Sequence, residues 1–249
     1  MKYLIANWKM YLDKDESLYL AKSYKADFKN SKVQLIVAPN FAYFEEVAKV
    51  FKRTKIKLAG QNVSYLEKGA LTGDISARGL KEAGADYCLV GHSERRIKAH
   101  ETNEEINQKI NFCYANKITP ILCVGENKEE LASGKRETVL TIQLKTALQK
   151  VSALLSQEIF IAYEPVWAIG SDNPMPAHDF EAVAMIIKRI VSALFSEKYF
   201  DEKVKLLYGG SVNAKVAKDY WQLASLSGLL VASASLHPKS FRDIVSPIC

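Results

Sequence analysis

Eight short apolar runs, most of them rich in β-branched residues, alternate with longer amphipathic stretches along the 249-residue chain. In the longer stretches apolar residues recur at helical spacing, as Val183, Ile187, Ile190 and Leu194 do. Strands that alternate with helices run parallel and are buried on both faces of their sheet. Eight such units in a chain of this length predict the α/β fold class and a (β/α)8 barrel, forming a single domain over residues 1–249.

Strands are predicted for the eight apolar runs, at residues 2–6, 33–38, 56–60, 87–91, 119–124, 159–163, 205–208 and 228–231. Helices are predicted for the amphipathic stretches Glu16–Phe28, Tyr43–Phe51, Glu104–Asn116, Glu137–Leu155, Asp179–Phe195 and Ala214–Leu223. An open, doubly wound sheet is the structural alternative. It usually carries a glycine-rich turn after its first strand, and Asn7-Trp8-Lys9-Met10 is not such a turn.

Composition limits the location and the partners of the protein. The formal net charge is +6, and lysine and arginine are spread along the chain instead of clustered with aromatic residues. This pattern predicts a solvated basic surface and no binding of nucleic acid. The four cysteines lack zinc-ligand or redox spacing, no apolar stretch reaches membrane-spanning length, and the N-terminus has no signal-peptide pattern. We therefore expect a cytoplasmic protein with reduced thiols and no contact with a membrane.

The predicted strand ends carry an unusual set of polar and small residues. In a (β/α)8 barrel, catalytic residues lie at the carboxyl ends of the strands. The residues at those ends are Asn7 and Lys9, Gly91-His92-Ser93-Glu94-Arg95-Arg96, Glu164, Tyr208-Gly209-Gly210-Ser211, and Val231-Ala232-Ser233-Ala234-Ser235. A base, a hydrogen-bond donor, a cation and two small-residue loops are thereby expected on one rim.

The segment Tyr163-Glu164-Pro165-Val166-Trp167-Ala168-Ile169-Gly170 places a single carboxylate at the end of an apolar strand. Proline then ends the strand, and four apolar residues and a glycine follow on a loop. Apolar residues on a loop need something to cover. This arrangement predicts a lid that excludes water from a catalytic base.

Taken together, these motifs resemble the triosephosphate isomerase family over the full chain. The resemblance rests on Asn7-Trp8-Lys9-Met10, on the runs that begin at Gly91 and Tyr163, on Leu207-Tyr208-Gly209-Gly210-Ser211-Val212, and on Gly69–Ser76 with the preceding Gln61-Asn62. It implies a TIM barrel that interconverts dihydroxyacetone phosphate and D-glyceraldehyde 3-phosphate through an enediolate, in glycolysis and gluconeogenesis. It implies no metal and no organic cofactor.

The resemblance also implies catalytic roles for five residues. Glu164 would be the base that moves a proton between adjacent carbons. His92 would donate a hydrogen bond as a neutral imidazole, favoured by a following helix N-terminus. Lys9 would supply a positive charge near the substrate oxygens, and Asn7 would donate beside it. Glu94 has three alternative roles: part of a proton relay, a residue that holds Lys9, or purely structural support.

Phosphate is expected to be held by backbone N–H groups of the lid and of the loops after the seventh and eighth strands. The matching residues are Gly170, Ser211, Ala232 and Ser233. Ala232-Ser233 stand where the family usually has two glycines, so this loop matches only if its first position does not need a positive φ.

Two further departures concern the lid and its surroundings. The far lid hinge reads Ser171-Asp172-Asn173-Pro174-Met175-Pro176, where the family usually has glycine and lysine near Asp172 and Asn173; the two prolines are expected to alter lid kinetics more than the chemistry. Ala99-His100 replaces a usual Phe-Gly before Glu101, which concerns support of the site. Ser93 is expected to bond to Glu164 in the open form. Arg95, Arg96 and Glu126 are expected to form a buried ionic layer behind the site.

The long segment 63–76 after the third strand predicts a functional loop. By the resemblance it inserts into a second subunit, with Thr72 at its tip near the partner's copies of Asn7 and Lys9, and so it predicts a homodimer. Two alternatives remain at the level of sequence: a barrel isomerase for another phosphosugar, and a non-catalytic binding protein derived from the family.

Overall fold

The computed structural model describes residues 1–152, 156–171 and 174–248. Eight parallel strands form a closed barrel in chain order, with the first strand paired to both the second and the last. They are β1 Lys2–Asn7, β2 Val33–Ala38, β3 Lys57–Gly60, β4 Tyr87–Val90, β5 Thr119–Val124, β6 Ile159–Tyr163, β7 Val204–Tyr208 and β8 Gly228–Val231. The predicted barrel is confirmed, and the predicted strand ends are correct to within one residue.

Helices surround the barrel and join successive strands. The α-helices are α1 Lys14–Asp27, α2 Phe44–Phe51, α3 Ala77–Glu82, α4 Ser93–Lys98, α5 Asn103–Ala115, α6 Lys128–Ala132, α7 Arg136–Leu148, α8 Ala177–Leu194, α9 Glu197–Lys203, α10 Ala214–Tyr220 and α11 Pro238–Val245. Short 3₁₀ turns occupy Phe41–Tyr43, Val166–Ala168, Ser233–Leu236 and Ser246–Ile248.

The strand side chains divide into two packed layers. Alternate residues such as Ile5, Ile36 and Ile121 fill the barrel interior, while their neighbours pack outward against the helices. Phe160 closes the amino end of the interior, where its ring meets Tyr3 edge-on at a centroid distance of 4.8 Å. Because the interior is filled, chemistry is restricted to the opposite, carboxyl rim.

The prediction of a helix over Glu137–Leu155 is confirmed as far as Leu148 and was wrong for residues 149–152. Helix α7 ends at Leu148, since Gln149 is extended and Lys150 is left-handed with φ 55°. The side-chain amide of Asn107 donates to the carbonyls of Ala147 and Gln149 and satisfies this helix end. Residues 153–155 of the predicted helix lie outside the described residues.

Four short helices, α3, α6, α9 and α11, were not predicted, because each is too short to show a clear helical period of apolar residues. Their sequences carry local helix-start signals instead. Helix α6 has a capping box in which Asn127 accepts from the N–H of Glu130 and the Glu130 carboxylate accepts from that of Asn127. Helix α11 begins with Pro238. The predicted helix Ala214–Leu223 likewise ends early, at Tyr220. Among the described residues, no helix is long and apolar enough to cross a membrane.

Candidate active site

The carboxyl rim encloses a cavity of about 260 Å³. Its walls come from the ends of five strands, which brings together most of the residues singled out in the sequence. They are Asn7, Lys9, His92, Glu94, Glu164, Gly170, Gly209, Gly210, Ser211, Ala232 and Ser233. Every residue predicted as catalytic or substrate-binding therefore lines one cavity.

Lys9 is held in this wall by a strained but well-supported backbone. Its φ of 50° lies in the left-handed region, which is unfavourable for a residue with a side chain. Two bonds fix it: the Lys9 N–H donates to Asn7 Oδ1 at 3.1 Å, and the Gln61 amide donates to the Lys9 carbonyl at 2.7 Å. These contacts aim the ammonium group along the rim. Gln61 was part of the recognised motif, but its spacing gave no sign of this role.

Glu94 pairs with Lys9. The Lys9 ammonium lies 2.6 Å from Glu94 Oε1, and the Glu94 side chain is 41% exposed. Burial alone would raise the pKa of Glu94, but the hydrogen bond and the positive charge of Lys9, with smaller contributions from His92 and Lys98, together outweigh it and hold that pKa below its usual value. This contact is the one expected of a residue that holds Lys9, which is one of the three roles left open by the sequence.

His92 and Glu164 face each other across the floor of the cavity. His92 caps helix α4, where its Nδ1 accepts the N–H of Glu94 at 3.2 Å. An accepting Nδ1 carries no proton, so Nε2 is the N–H donor of the ring. His92 Nε2 lies 3.3 Å from Glu164 Oε1. The helix predicted to start at Ser93 exists, and the bond from its first turn fixes the orientation of the imidazole.

Glu164 is 2% exposed at the end of β6. Its second oxygen, Oε2, accepts the backbone N–H of Ser93 at 3.0 Å, so the expected contact with Ser93 is made by the main chain. The Cys123 thiol lies against the same carboxylate; burial raises the pKa of that thiol, and Glu164 raises it further. Cys123 therefore stays protonated beside the base. The sequence indicated a buried thiol here but not its neighbour.

The start of the lid is anchored by Glu126. This fully buried carboxylate accepts from the Tyr163 hydroxyl at 2.9 Å, from the Trp167 indole at 3.1 Å and from Arg136 at 3.0 Å. Burial raises the pKa of Tyr163, which keeps its hydroxyl a donor. Three donors from three elements thus hold the Val166–Ala168 turn over the rim.

The predicted ionic layer of Arg95, Arg96 and Glu126 is not one cluster. Arg96 donates to the main-chain carbonyls of Gly91 and Cys123, and Arg95 is 37% exposed. Sequence proximity to the motif suggested a shared role, but helix α4 points the two arginines in different directions. Arg136, which the motifs did not include, is the real partner of Glu126.

Glu101 forms a second buried cluster beneath His92. One of its oxygens, Oε2, lies 2.8 Å from the Lys109 ammonium and 2.6 Å from Arg95 Nε, while the other accepts the Gly91 N–H at 3.2 Å. Burial would raise the pKa of Glu101, but Lys109 and Arg95 outweigh it and hold that pKa below its usual value. The preceding residue, His100, has a left-handed φ of 53°, a conformation that favours the glycine usual at this position in the family. His100 is therefore a strained residue next to Glu101.

The wall opposite Lys9 is built from small residues. A Cβ on Gly210 would lie 2.2 Å from the Tyr208 hydroxyl, so this loop needs glycine there. Ala232 has a φ of −104°, outside the left-handed region that favours glycine, and it precedes the 3₁₀ turn Ser233–Leu236. Ala232 and Ser233, which replace two glycines usual in the family, therefore need no positive φ, and each keeps a backbone N–H group. The lid-hinge residues Asp172 and Asn173 lie outside the described residues.

The loop 63–76 leaves the barrel beside this site. A hydrogen bond of 2.8 Å from the Ser64 N–H to the Ile75 carbonyl closes its base, and Thr72 is exposed at its tip. A separate cavity of about 320 Å³ opens beside Lys9, and Met10 at its edge is 85% exposed. Within the described ranges, no group of histidine, cysteine and acidic residues is arranged to hold a metal ion.

A buried carboxylate, an imidazole N–H and a lysine meet on the carboxyl rim next to a wall of small residues, an arrangement typical of a (β/α)8 barrel enzyme. A family model for triosephosphate isomerase matches residues 2–248. Proteins named triosephosphate isomerase from Dictyoglomus turgidum and Aquifex aeolicus are 40% and 39% identical over 245 residues, covering 98% of this chain and 98% of each relative. One from Clostridium perfringens is 35% identical over 243 residues, with the same coverage. The chain belongs to the triosephosphate isomerase family, and the family and isomerase class predicted from the motifs are confirmed.

Proposed function

We propose that this chain interconverts dihydroxyacetone phosphate and D-glyceraldehyde 3-phosphate with Glu164 as the base and His92 as the hydrogen-bond donor. One observation carries the assignment: His92 Nε2 and Glu164 Oε1 lie 3.3 Å apart on the floor of a single cavity. A substrate carbon and its oxygen placed there meet the carboxylate and the imidazole N–H together. Only one base is needed, because it serves both carbons from the same side.

The reaction then follows from the positions of the groups. Glu164 takes a proton from the carbon next to the carbonyl, and the electron pair moves onto the carbonyl oxygen. His92 Nε2–H stabilises the resulting enediolate oxygen, and the Lys9 ammonium group adds a fixed positive charge. The hydroxyl proton of the enediolate moves to the former carbonyl oxygen, and Glu164 returns its proton to the neighbouring carbon, so the carbonyl group now lies on the carbon that was first deprotonated. The side-chain oxygen of Asn7 supports Lys9 by accepting the Lys9 main-chain N–H, and Glu94 supports Lys9 through its charge.

The phosphate group lies against the opposite wall in this proposal. Gly170, Ser211, Ala232 and Ser233 line that side of the cavity, and their N–H groups suit a tetrahedral anion. Binding energy from the phosphate holds the lid shut, which excludes water and protects the enediolate from losing phosphate.

The chain is proposed to work as a cytoplasmic homodimer, each subunit being one domain. The open cavity beside Lys9 and the exposed Met10 suit the insertion of a partner's loop 63–76, tipped by Thr72. The buried free thiols Cys88, Cys113 and Cys123 fit a reducing compartment. Specific activity is expected to fall when the protein is diluted until it dissociates. Full activity in a species that sediments as the 27.9 kDa chain would contradict the dimer.

Replacing Glu164 by Asp tests the catalytic assignment. The shorter side chain withdraws the carboxylate by about 1 Å, which costs on the order of 10²-fold in kcat. Isomerisation of glyceraldehyde 3-phosphate is measured with a coupled dehydrogenase. The exposed Glu202→Asp is the matched control and should keep wild-type activity. Equal activity of both variants would remove Glu164 from the chemistry.

The wild-type protein tests the reaction itself. Turnover of triose phosphates, with none of four- or five-carbon sugar phosphates, is the expected result. Turnover of the longer sugars alone would instead favour an isomerase for another phosphosugar. No turnover of any of them, in a folded protein, would favour the binding-protein alternative.

A further inference from the structure

The far end of the lid is tied down by a tyrosine that lies outside the recognised motifs. Met175 is 2% exposed and stands between Pro174 and Pro176, just before helix α8. Its carbonyl accepts a hydrogen bond of 3.0 Å from the hydroxyl of Tyr220. Tyr220 is the last residue of α10 and is fully buried. The bond spans 45 residues and joins the lid to a different βα unit.

The Tyr220 bond holds a segment of backbone, residues 174–176, that has few N–H donors of its own. Prolines on both sides of Met175 remove two N–H donors, and each proline fixes its own φ. A residue that precedes proline is also confined to extended conformations. Helix α8 starts at Ala177 with no side-chain cap. The direction of the Met175 carbonyl therefore sets the path by which the lid enters α8.

The ring of Tyr220 links the same point to the anion-binding wall. It stacks on Tyr208 with a centroid distance of 4.1 Å and an interplanar angle of 21°. Phe180 of α8 packs against both rings, at 5.7 Å from Tyr220 and 5.9 Å from Tyr208. Tyr208 directly precedes the loop Gly209-Gly210-Ser211.

The Tyr208 ring in turn reaches the near end of the lid. A Cβ built on Gly210 would lie 2.2 Å from the Tyr208 hydroxyl and 3.2 Å from Cγ of Pro165. Gly210 is therefore close both to the Tyr208 hydroxyl and to Pro165 at the start of the lid. Through Gly210, the pair Tyr208 and Tyr220 links the phosphate loop to both described ends of the lid.

We propose that Tyr220 is a positioning residue for the isomerisation, which fixes the far end of the lid through Met175 and aligns it with the phosphate loop through Tyr208. The inference rests on the proposed function, since it assigns a task within that reaction. Tyr220 does not line the cavity and acts only through these neighbours. Without its hydroxyl, the Met175 carbonyl loses a fixed partner, and the closed lid has more than one path into α8.

A loosely closed lid has a chemical signature. The enediolate carries phosphate on the adjacent carbon, and an unprotected enediolate can expel it. The C–O bond breaks, its electron pair leaves with inorganic phosphate, and the remaining three-carbon enol gains a proton on carbon as its hydroxyl loses one, which gives a dicarbonyl. The ratio of phosphate released to substrate isomerised therefore reports on lid closure, whereas a general loss of stability does not change it.

The test compares Tyr220→Phe with Tyr114→Phe. Both remove a buried hydroxyl that donates to a main-chain carbonyl, because the Tyr114 hydroxyl donates to Glu158 at 2.9 Å on the side of the barrel away from the lid. We expect Tyr220→Phe to raise the phosphate-to-isomerisation ratio and the KM about tenfold, the size of an effect that one buried hydrogen bond has on an equilibrium constant. Tyr114→Phe should leave both values unchanged. Tyr220→Leu, which also removes the ring stack, should raise them further.

The melting temperature of each variant separates positioning from stability. A Tyr220→Phe protein with wild-type ratio and KM, destabilised as much as Tyr114→Phe, would overturn the inference while leaving the isomerase intact. A wild-type protein that does not isomerise triose phosphates would overturn the proposed function and the inference with it. If Tyr220→Leu and Tyr220→Phe behave alike, the hydroxyl alone is the positioning group and the link through Tyr208 is wrong.

Discussion

A single methyl group added at Gly210 should damage phosphate binding more than it damages the fold. The built Cβ lies 2.2 Å from the Tyr208 hydroxyl oxygen and 2.5 Å from the ring carbon that bears it. Carbon atoms pack at about 3.5–4.0 Å, so the overlap exceeds roughly 1 Å. Tyr208 cannot swing aside, because its ring is stacked on Tyr220 and edged by Phe180. The loop that carries Ser211 must move instead.

The size of the effect follows from that displacement. Overpacking of this kind costs about 1–3 kcal/mol of stability. A misplacement of about 1 Å at a substrate-positioning group costs about 10²-fold in rate. We therefore expect Gly210→Ala to lower kcat/KM on the order of 100-fold and to weaken inhibition by inorganic phosphate by a similar factor. Backbone strain does not enter, because Gly210 is not among the residues with positive φ.

Steady-state kinetics with glyceraldehyde 3-phosphate and thermal unfolding check this prediction. The control is Gly134→Ala, at a surface turn between α6 and α7 where a Cβ meets nothing within 4 Å but φ is 68°. It should lose about 1 kcal/mol of stability from strain and keep its kcat/KM. A Gly210→Ala enzyme within twofold of wild-type kcat/KM would refute the view that Tyr208 fixes the phosphate loop.

Three further outcomes follow from the described contacts. Glu101→Gln should lower the free energy of unfolding by about 3 kcal/mol at pH 7, since it leaves the buried Lys109 ammonium without its carboxylate. The pKa of Glu101 in the folded protein lies below its ordinary value of 4.5. In chemical denaturation, the stability advantage of the wild type over this variant should therefore be full above pH 5 and shrink as the pH falls through the pKa of the folded state. Glu94→Gln should lower kcat/KM about tenfold by freeing Lys9, and unchanged kinetics would contradict the ion pair's role. Ala232→Gly should change the inhibition constant for phosphate less than about threefold, because Ala232 has a negative φ and does not need glycine. A larger increase in phosphate affinity would show that the alanine side chain obstructs this loop.

The strands and the rim residues could be predicted because both depend on local sequence. Each strand is a short apolar run between turns, and barrel geometry then places every strand end on one rim. This rule and the surrounding motifs predict that Glu164 and His92 lie on the rim, without knowledge of their contacts. The Ala232 backbone could not be predicted, since its conformation depends on how the 3₁₀ turn packs.

The partners of buried charges lay beyond the reach of sequence patterns. Lys109 of α5 reaches Glu101, which lies eight residues earlier and just before that helix, and neither i,i+3 nor i,i+4 spacing marks the pair. Arg136 at the start of α7 meets Glu126 after β5, and Tyr220 of α10 meets Met175 of the preceding βα unit. Such contacts depend on how helices, strand ends and loops pack together, which local periodicity does not encode.

The pairing of β1 with β8 has a consequence for the newly made chain. Strand β1 ends at Asn7, and β8, one of the two strands with which it pairs, ends at Val231. Strand β1 is therefore synthesised long before β8 can pair with it. At about 5–20 residues per second, that wait is roughly 10 to 45 s. During this time one edge of a very apolar sheet has no partner in its own chain, and an unpaired edge is prone to pair with other chains. Ring closure is therefore also a timing constraint, because the β1 edge is exposed to pairing with other chains until the final strand emerges.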